Sequence, residues 1–169
     1  MQNTSTHKPS TRTEKDILGL VHSDICGPMQ NASLGGASYF ATFTDDKTRY
    51  TQVTIRKYPG KRIKRLRTDN AKEYVSKNFS EFLKKEGISR ELSVEYTPQQ
   101  NGVAERANRT LVEMARCMMV QSRVPTSLWA EAVNTACYIR NRCSSKHTGN
   151  KTPYELWTGK QLFSGQQRP

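Results

Sequence analysis

Short apolar runs in the first half of the chain give way to longer helical periods in the second. Ile17 to Ser23 is an apolar run that ends at Asp24 and reads as a first strand, stopped by Gly27-Pro28. Leu34-Gly35-Gly36 turns into Ser38–Thr44, a second strand, and Asp45-Asp46-Lys47-Thr48 is a hairpin loop by its turn formers. Arg49–Ile55 is rich in β-formers and predicts a third strand, completing a meander. Tyr58-Pro59-Gly60 breaks the chain before a fourth strand over Arg62–Thr68, which leads into Asp69. Lys77–Glu86 carries Phe79, Phe82 and Leu83 on one helical face, and Gly87 is placed as its C-cap. Glu91–Tyr96 predicts a fifth strand.

The period then becomes helical. From about Asn101 to Ser122, Val103, Ala107, Leu111, Met114, Ala115 and Met118 form one stripe, which leaves Glu105, Arg109 and Arg116 on the other side. Thr126 is expected to cap a further helix from about Ser127 to Arg142, with Trp129, Val133, Ala136 and Ile139 inward. Pro153 to Trp157 predicts one short helical turn, with proline at its start. Three strands, then alternating strand and helix, then helices, predict an α/β fold with a five-stranded mixed sheet. The expected division is a disordered linker over residues 1–16, a core over 17–143 and a basic, loose extension over 144–169.

Composition narrows the partners. Twenty-seven Lys and Arg against 15 Asp and Glu give a net charge of +12 and a pI near 9.8. Such a balance favours a polyanion, bound with release of counterions. A mean hydropathy of −0.79 is lean for a self-sufficient core. No run approaches the ~20 apolar residues of a membrane span, and Met1 to Lys15 is too polar for a secretory signal. An intracellular chain, in nucleus or cytoplasm, is therefore expected. Cys26, Cys117, Cys137 and Cys143 form no Cys-x-x-Cys pair, and His7, His22 and His147 are scattered, so no zinc site is expected.

The candidate chemistry lies in three acids. Asp24 and Asp69 each end a predicted strand, and Glu105 lies in the first turn of the long helix, with 35 residues between Asp69 and Glu105. Two strand acids and one helix acid are suited to hold divalent cations, and oxygen-only ligation suits two Mg2+ or Mn2+ ions. The surrounding motifs run from Leu20-Val21-His22-Ser23-Asp24-Ile25-Cys26-Gly27-Pro28, through Arg67-Thr68-Asp69-Asn70, to Tyr96-Thr97-Pro98-Gln99-Gln100-Asn101-Gly102-Val103-Ala104-Glu105-Arg106. They continue through Leu128-Trp129-Ala130-Glu131-Ala132 and Thr152-Pro153-Tyr154-Glu155-Leu156-Trp157-Thr158-Gly159. In this order the set resembles the catalytic core of a retroviral-type integrase, of the copia retrotransposon kind.

The resemblance implies a ribonuclease H-like fold. It implies metal-dependent processing of a DNA 3′ end and transfer of that end into target DNA. Asp24, Asp69 and Glu105 would be the catalytic metal ligands. Asn70, Gln99, Gln100, Asn101, Arg106 and Arg109 would contact DNA, and the active form would be a homo-oligomer. Arg109 is placed to reach a phosphate beside the metals or to pair with Glu105 one turn away. Trp129 and Trp157 read as core. The alternatives are a catalytically inactive, truncated or host-adopted relic that only binds nucleic acid, and an RNA-directed nuclease of the same fold.

One element is missing against that pattern. Strands three and four should both run parallel to strand one, on opposite sides of it, and such a crossover needs a dozen or more residues, as a rule a helix. Only about Arg56 to Arg62 is available, with the shortening between 57 and 61 and 44 residues between the two Asp. Three strand spacings of ~14 Å in total, plus a return of ~17 Å, must be closed. Seven extended residues reach at most ~25 Å. A destabilised domain with an exposed apolar strip is therefore expected.

Overall fold

The computed structural model describes residues 13–53, 63–69, 74, 76–92 and 102–162. Five strands form one sheet in the order β3-β2-β1-β4-β5. They are β1 (Leu20–Cys26), β2 (Phe40–Asp45), β3 (Thr51–Gln52), β4 (Arg65–Thr68) and β5 (Ser89–Leu92). β1 pairs antiparallel with β2, and β2 antiparallel with β3. β4 lies parallel to β1 and to β5. Among the described residues, four helices have defined bounds: α1 (Lys77–Glu86), α2 (Gly102–Ser122), α3 (Trp129–Arg140) and α4 (Pro153–Thr158).

Alternation along β1 splits the sheet into two faces. Val21 packs with Leu18, Leu66 and Leu83 on the α1 side. Cys26 points to the other side, where Phe40, Ala115, Trp129 and Val133 cluster under α2 and α3. Leu111, Ala136 and Cys137 continue that second core. α1 has the predicted bounds. Ser76 caps it by accepting a hydrogen bond from the Phe79 amide, and Gly87 ends it at φ 69°. Gly27, directly after β1, has φ 143°, and an added Cβ would lie 2.5 Å from the Tyr39 ring, so no side chain fits there.

Several boundaries differ from those predicted. β1 starts at Leu20 and runs through Asp24 to Cys26, because β2 supplies partners that far, Asp24 facing Thr42. On α2 the buried positions are Gly102, Ala104, Ala107, Asn108, Leu111 and Ala115. Val103 is only half-buried, so the helix is rolled toward Ala104 and Asn108. On α3, Cys137 is buried while Ile139 is 37% exposed. Thr126 does not cap α3 but opens a short 3-10 turn, and its hydroxyl accepts a hydrogen bond from Asn31 Nδ2 at 2.8 Å. β5 begins earlier than expected, at Ser89, and residues 93–96 lie outside the described residues.

A dense polar cluster sits at the β2–β3 hairpin. Asp45 accepts from the Leu18 amide and from the amide and hydroxyl of Thr48. Buried His22 shares a hydrogen bond of 2.9 Å with Asp46. Burial alone would raise the Asp46 pKa, but the His22 contact, the Glu14 amide and the Arg49 charge hold it at about 2. Asn141, just past α3, grips β3 by accepting from the Thr51 amide and donating to its carbonyl. That grip explains how a two-residue strand persists at the sheet edge.

The crossover at residues 54–62 lies outside the described residues. Of the apolar residues predicted to share one face of α1, Phe82 is 49% exposed. Phe43 and Ile63 pack onto the Leu18–Val21–Leu66–Leu83 core, and so does Trp157 of α4. Trp157 also stacks on Tyr50, with ring centroids 4.9 Å apart. The segment after Ser144 is thus not loose over residues 152–162. Thr152 and Glu155 close a capping box on α4, and the Tyr154 amide donates to the Asn141 carbonyl. We expect Trp157→Ala to cost about 2–4 kcal/mol, read as a lower denaturant midpoint. An unchanged midpoint would show that α4 is a passive extension.

Candidate active site

Asp24 occupies the fifth position of β1, half-buried, with its side chain on the α2 side of the sheet. Its register fixes two neighbours. Across β2 it faces Thr42. On the other side the β1–β4 ladder pairs Leu20 with Arg65, Val21 with Leu66 and His22 with Arg67. Continuing that offset brings Asp69, the residue after β4, level with Asp24 at about one strand spacing, ~4.8 Å.

Glu105 enters from above the sheet. It lies in the first turn of α2, exposed, and Asn108 follows one turn later on the side turned inward. Asn108 Nδ2 donates to Asp24 Oδ2 at 2.9 Å, and Asn108 Oδ1 accepts from Thr42 Oγ1 at 2.6 Å. The amide therefore holds the acid and locks helix to sheet at once. Asn108 is 5% exposed and Thr42 fully buried, so each bond is shielded from water.

The acids influence one another. Burial raises the Asp24 pKa, the charge of Asp69 raises it further, and Glu105 adds to this, against the lowering by the Asn108 hydrogen bond. The Cys26 thiol, two residues along the same face, is pushed up by burial and by Asp24. Mutual repulsion among carboxylates on one side of the sheet is the condition that a bound dication relieves. An all-oxygen donor set fits Mg2+ or Mn2+. Among the described residues, no group of three His, Cys, Asp or Glu side chains is gathered tightly enough to form a ready metal cage.

The other sequence candidates divide. Arg106 and Arg109 are both exposed on α2. The Arg106 guanidinium folds back over Gly102, where an added Cβ would meet it at 2.8 Å. The alternative pairing of Arg109 with Glu105 is not formed among the described residues. Asn70, Gln99, Gln100 and Asn101 lie outside the described residues. Sequence reasoning missed Asn108 and Thr42. The available signal was the spacing of Asn108, one turn after Glu105 and within an otherwise apolar stripe.

No protein-family model matches the chain. It is 41% identical, over 95% of its length, to the retrovirus-related Pol polyprotein from transposon TNT 1-94 of Nicotiana tabacum. It spans only 14% of that polyprotein. Among solved structures, it matches a chain of the simian T-cell lymphotropic virus intasome in complex with PP2A regulatory subunit B56 gamma. That match has a TM-score of 0.71 at 17% identity and covers 94% of this chain and 60% of the other. The catalytic core domain of BIV integrase matches with a TM-score of 0.60 at 18% identity, over 84% of this chain and 95% of that one. The HTLV-2 integrase catalytic core domain, solved in complex with magnesium in a trimeric form, gives 0.61 at 16%, over 83% and 96%. These likenesses confirm the ribonuclease H-like architecture expected from the motifs. By sequence the chain is related to a retrovirus-related Pol polyprotein of a transposon, and its fold is that of the retroviral integrase catalytic cores.

Proposed function

We propose that this chain is a metal-dependent polynucleotidyl transferase that trims a retroelement DNA 3′ end and joins it to target DNA. The observation that carries the reading is the hydrogen bond from Asn108 of α2 to Asp24, which sets the helix that bears Glu105 against β1, with Asp69 directly after the neighbouring strand β4. Asp24, Asp69 and Glu105 are the proposed catalytic metal ligands. Two Mg2+ ions there would supply a water of lowered pKa and screening of the phosphate charge. The chain's own part is positional. β1 and β4 fix the spacing of two carboxylates, and Asn108 fixes the rotamer of one. Arg106 and Arg109, exposed along the same helix, are placed to meet DNA phosphates, with Asn70, Gln99, Gln100 and Asn101 proposed as further contacts.

A second reading is an inactive nucleic-acid-binding relic. It is favoured by the short connection between β3 and β4, which leaves 44 residues between Asp24 and Asp69. One experiment separates the two. A recessed duplex oligonucleotide is incubated with the chain and a supercoiled plasmid, in Mg2+ or Mn2+, with and without chelator, while binding is followed by fluorescence anisotropy. Joined product that vanishes with chelator is expected. Salt-sensitive binding with no joined product in either metal supports the relic, and binding indifferent to salt counts against both.

A further inference from the structure

Asp69 stands just past the end of strand pairing. The β1–β4 ladder stops at His22 and Arg67, two residues short of Asp69, and the β4–β5 ladder stops at Thr68 and Leu92. Strand pairing alone therefore does not set how far Asp69 sits from Asp24. A second anchor lies five residues further along the chain, at Tyr74. The Tyr74 hydroxyl is 2.6 Å from Ser23 Oγ, and Ser23 directly precedes Asp24 on β1. Tyr74 is 4% exposed and Ser23 fully buried, so the bond is shielded from water. Tyr74 is itself held from two further elements. Arg90 of β5 donates from Nη1 to its carbonyl at 2.6 Å, and Phe79 of α1 meets its ring edge-on, with centroids 5.6 Å apart. By alternation, Ser23 points with Val21 to the α1 face and Asp24 to the α2 face. The Tyr74 hydroxyl thus lies behind the sheet from Asp24, where it can bind no shared metal and can act only through the backbone.

We infer that Tyr74 is a positioning residue for the proposed metal site: its hydroxyl bond to Ser23 anchors the chain that follows Asp69 to β1 beside Asp24, and so fixes the spacing of the two carboxylates. The inference rests on the functional reading above, because it takes Asp24 and Asp69 as ligands of one metal pair. Ligand carboxylates must be held to within ~0.5 Å of their working geometry. Two like charges on adjoining strands repel until a dication binds. β4 holds Asp69 from the preceding side, and the Tyr74–Ser23 bond resists that separation from the following side. A phenylalanine at 74 would keep the contact with Phe79 but would take this partner from the buried Ser23 hydroxyl.

The test measures Mn2+ binding to the chain without DNA, by electron paramagnetic resonance of the free ion, with DNA joining followed separately. Asp69→Asn serves as the control that binding is at the acids. Tyr74→Phe should weaken Mn2+ binding about tenfold, the low end for a group that orients a ligand from behind. Ser23→Ala should weaken it by the same factor and the double variant no further, since both changes remove one bond. Trp157→Ala, which loosens the same core elsewhere, should lower the melting temperature and leave Mn2+ binding as in the parent, which separates lost stability from lost positioning. Mn2+ binding by Tyr74→Phe equal to the parent's overturns the inference, whatever its melting temperature, and so do losses that add in the double variant. A parent that binds Mn2+ but joins no DNA overturns the transferase reading, while the role of Tyr74 is still decided by the binding data. A parent that binds no Mn2+ at the acids overturns both.

Discussion

Asp69→Asn should abolish DNA joining, a loss of at least about a hundredfold, while leaving the fold more stable in the absence of metal. Both halves follow from the placement of Asp69 one strand spacing from Asp24. Removing a carboxylate strips a ligand from the proposed metal pair. It also removes the neighbouring charge that, after burial, is the next largest reason the Asp24 pKa is raised. The sign of the stability change is fixed by linkage. An acid whose folded pKa lies above its unfolded value costs stability at pH above both, and the cost is relieved as pH falls through the folded pKa. At neutral pH the native site carries that cost, and the variant carries less of it. Melting curves in chelator should therefore place Asp69→Asn above the parent, and added Mn2+ should raise the parent alone. A variant that melts lower than the parent in chelator would show that Asp69 is held by the local turn rather than opposed by its neighbours.

Asn108→Leu is the second large effect, in the opposite direction. Leucine is nearly isosteric and suits a helix, so any loss comes from hydrogen bonding. The variant leaves a half-buried carboxylate without its Asn108 donor and a fully buried Thr42 hydroxyl without its acceptor. Each stranded group costs ~1–3 kcal/mol, so we expect a total of ~2–4 kcal/mol and a melting temperature lower by about 6–12 °C. Adding Thr42→Val removes one stranded partner and should recover part of the loss, which a double-mutant cycle would read as coupling. Additive losses would mean that Asn108 and Thr42 do not act as a pair.

The sequence carried the elements whose pattern has a single physical cause. α1 has one apolar face, a serine cap and a glycine at φ 69°, and its limits were legible to the residue. Of the three acids, Asp69 follows β4 and Glu105 lies in the first turn of α2, at the boundaries the sequence suggested, whereas Asp24 lies within β1, two residues before its end. The roll of α2 was not legible. An apolar-stripe argument assigns Val103 inward and passes over Asn108. The native helix reverses this because a buried amide is worth its place only where it has two partners, and Asp24 and Thr42 lie on strands far away in sequence. His22 was hidden for the same reason. One of three scattered histidines by sequence, it is buried against Asp46 across the hairpin, a pairing set by the register of β1 on β2. α4 was read as a turn in a loose tail because its anchor is tertiary. Only Tyr50 and the Leu18 core give Trp157 somewhere to go.

β5 bounds the sheet among the described residues, and its chemistry limits how the protein can grow. An unguarded edge invites strand addition by other chains, which ends in fibrils or precipitates. Here the middle of the edge is Arg90 and Glu91. Arg90 is held by the Tyr74 carbonyl, and Glu91 by Arg65 and Arg67 of β4. Glu14 adds a further ion pair to Arg65. Those charges make the border a poor template for an apolar strand, and at the opposite border Asn141 occupies the backbone amide and carbonyl of Thr51, so neither described edge offers a plain run of unpaired backbone.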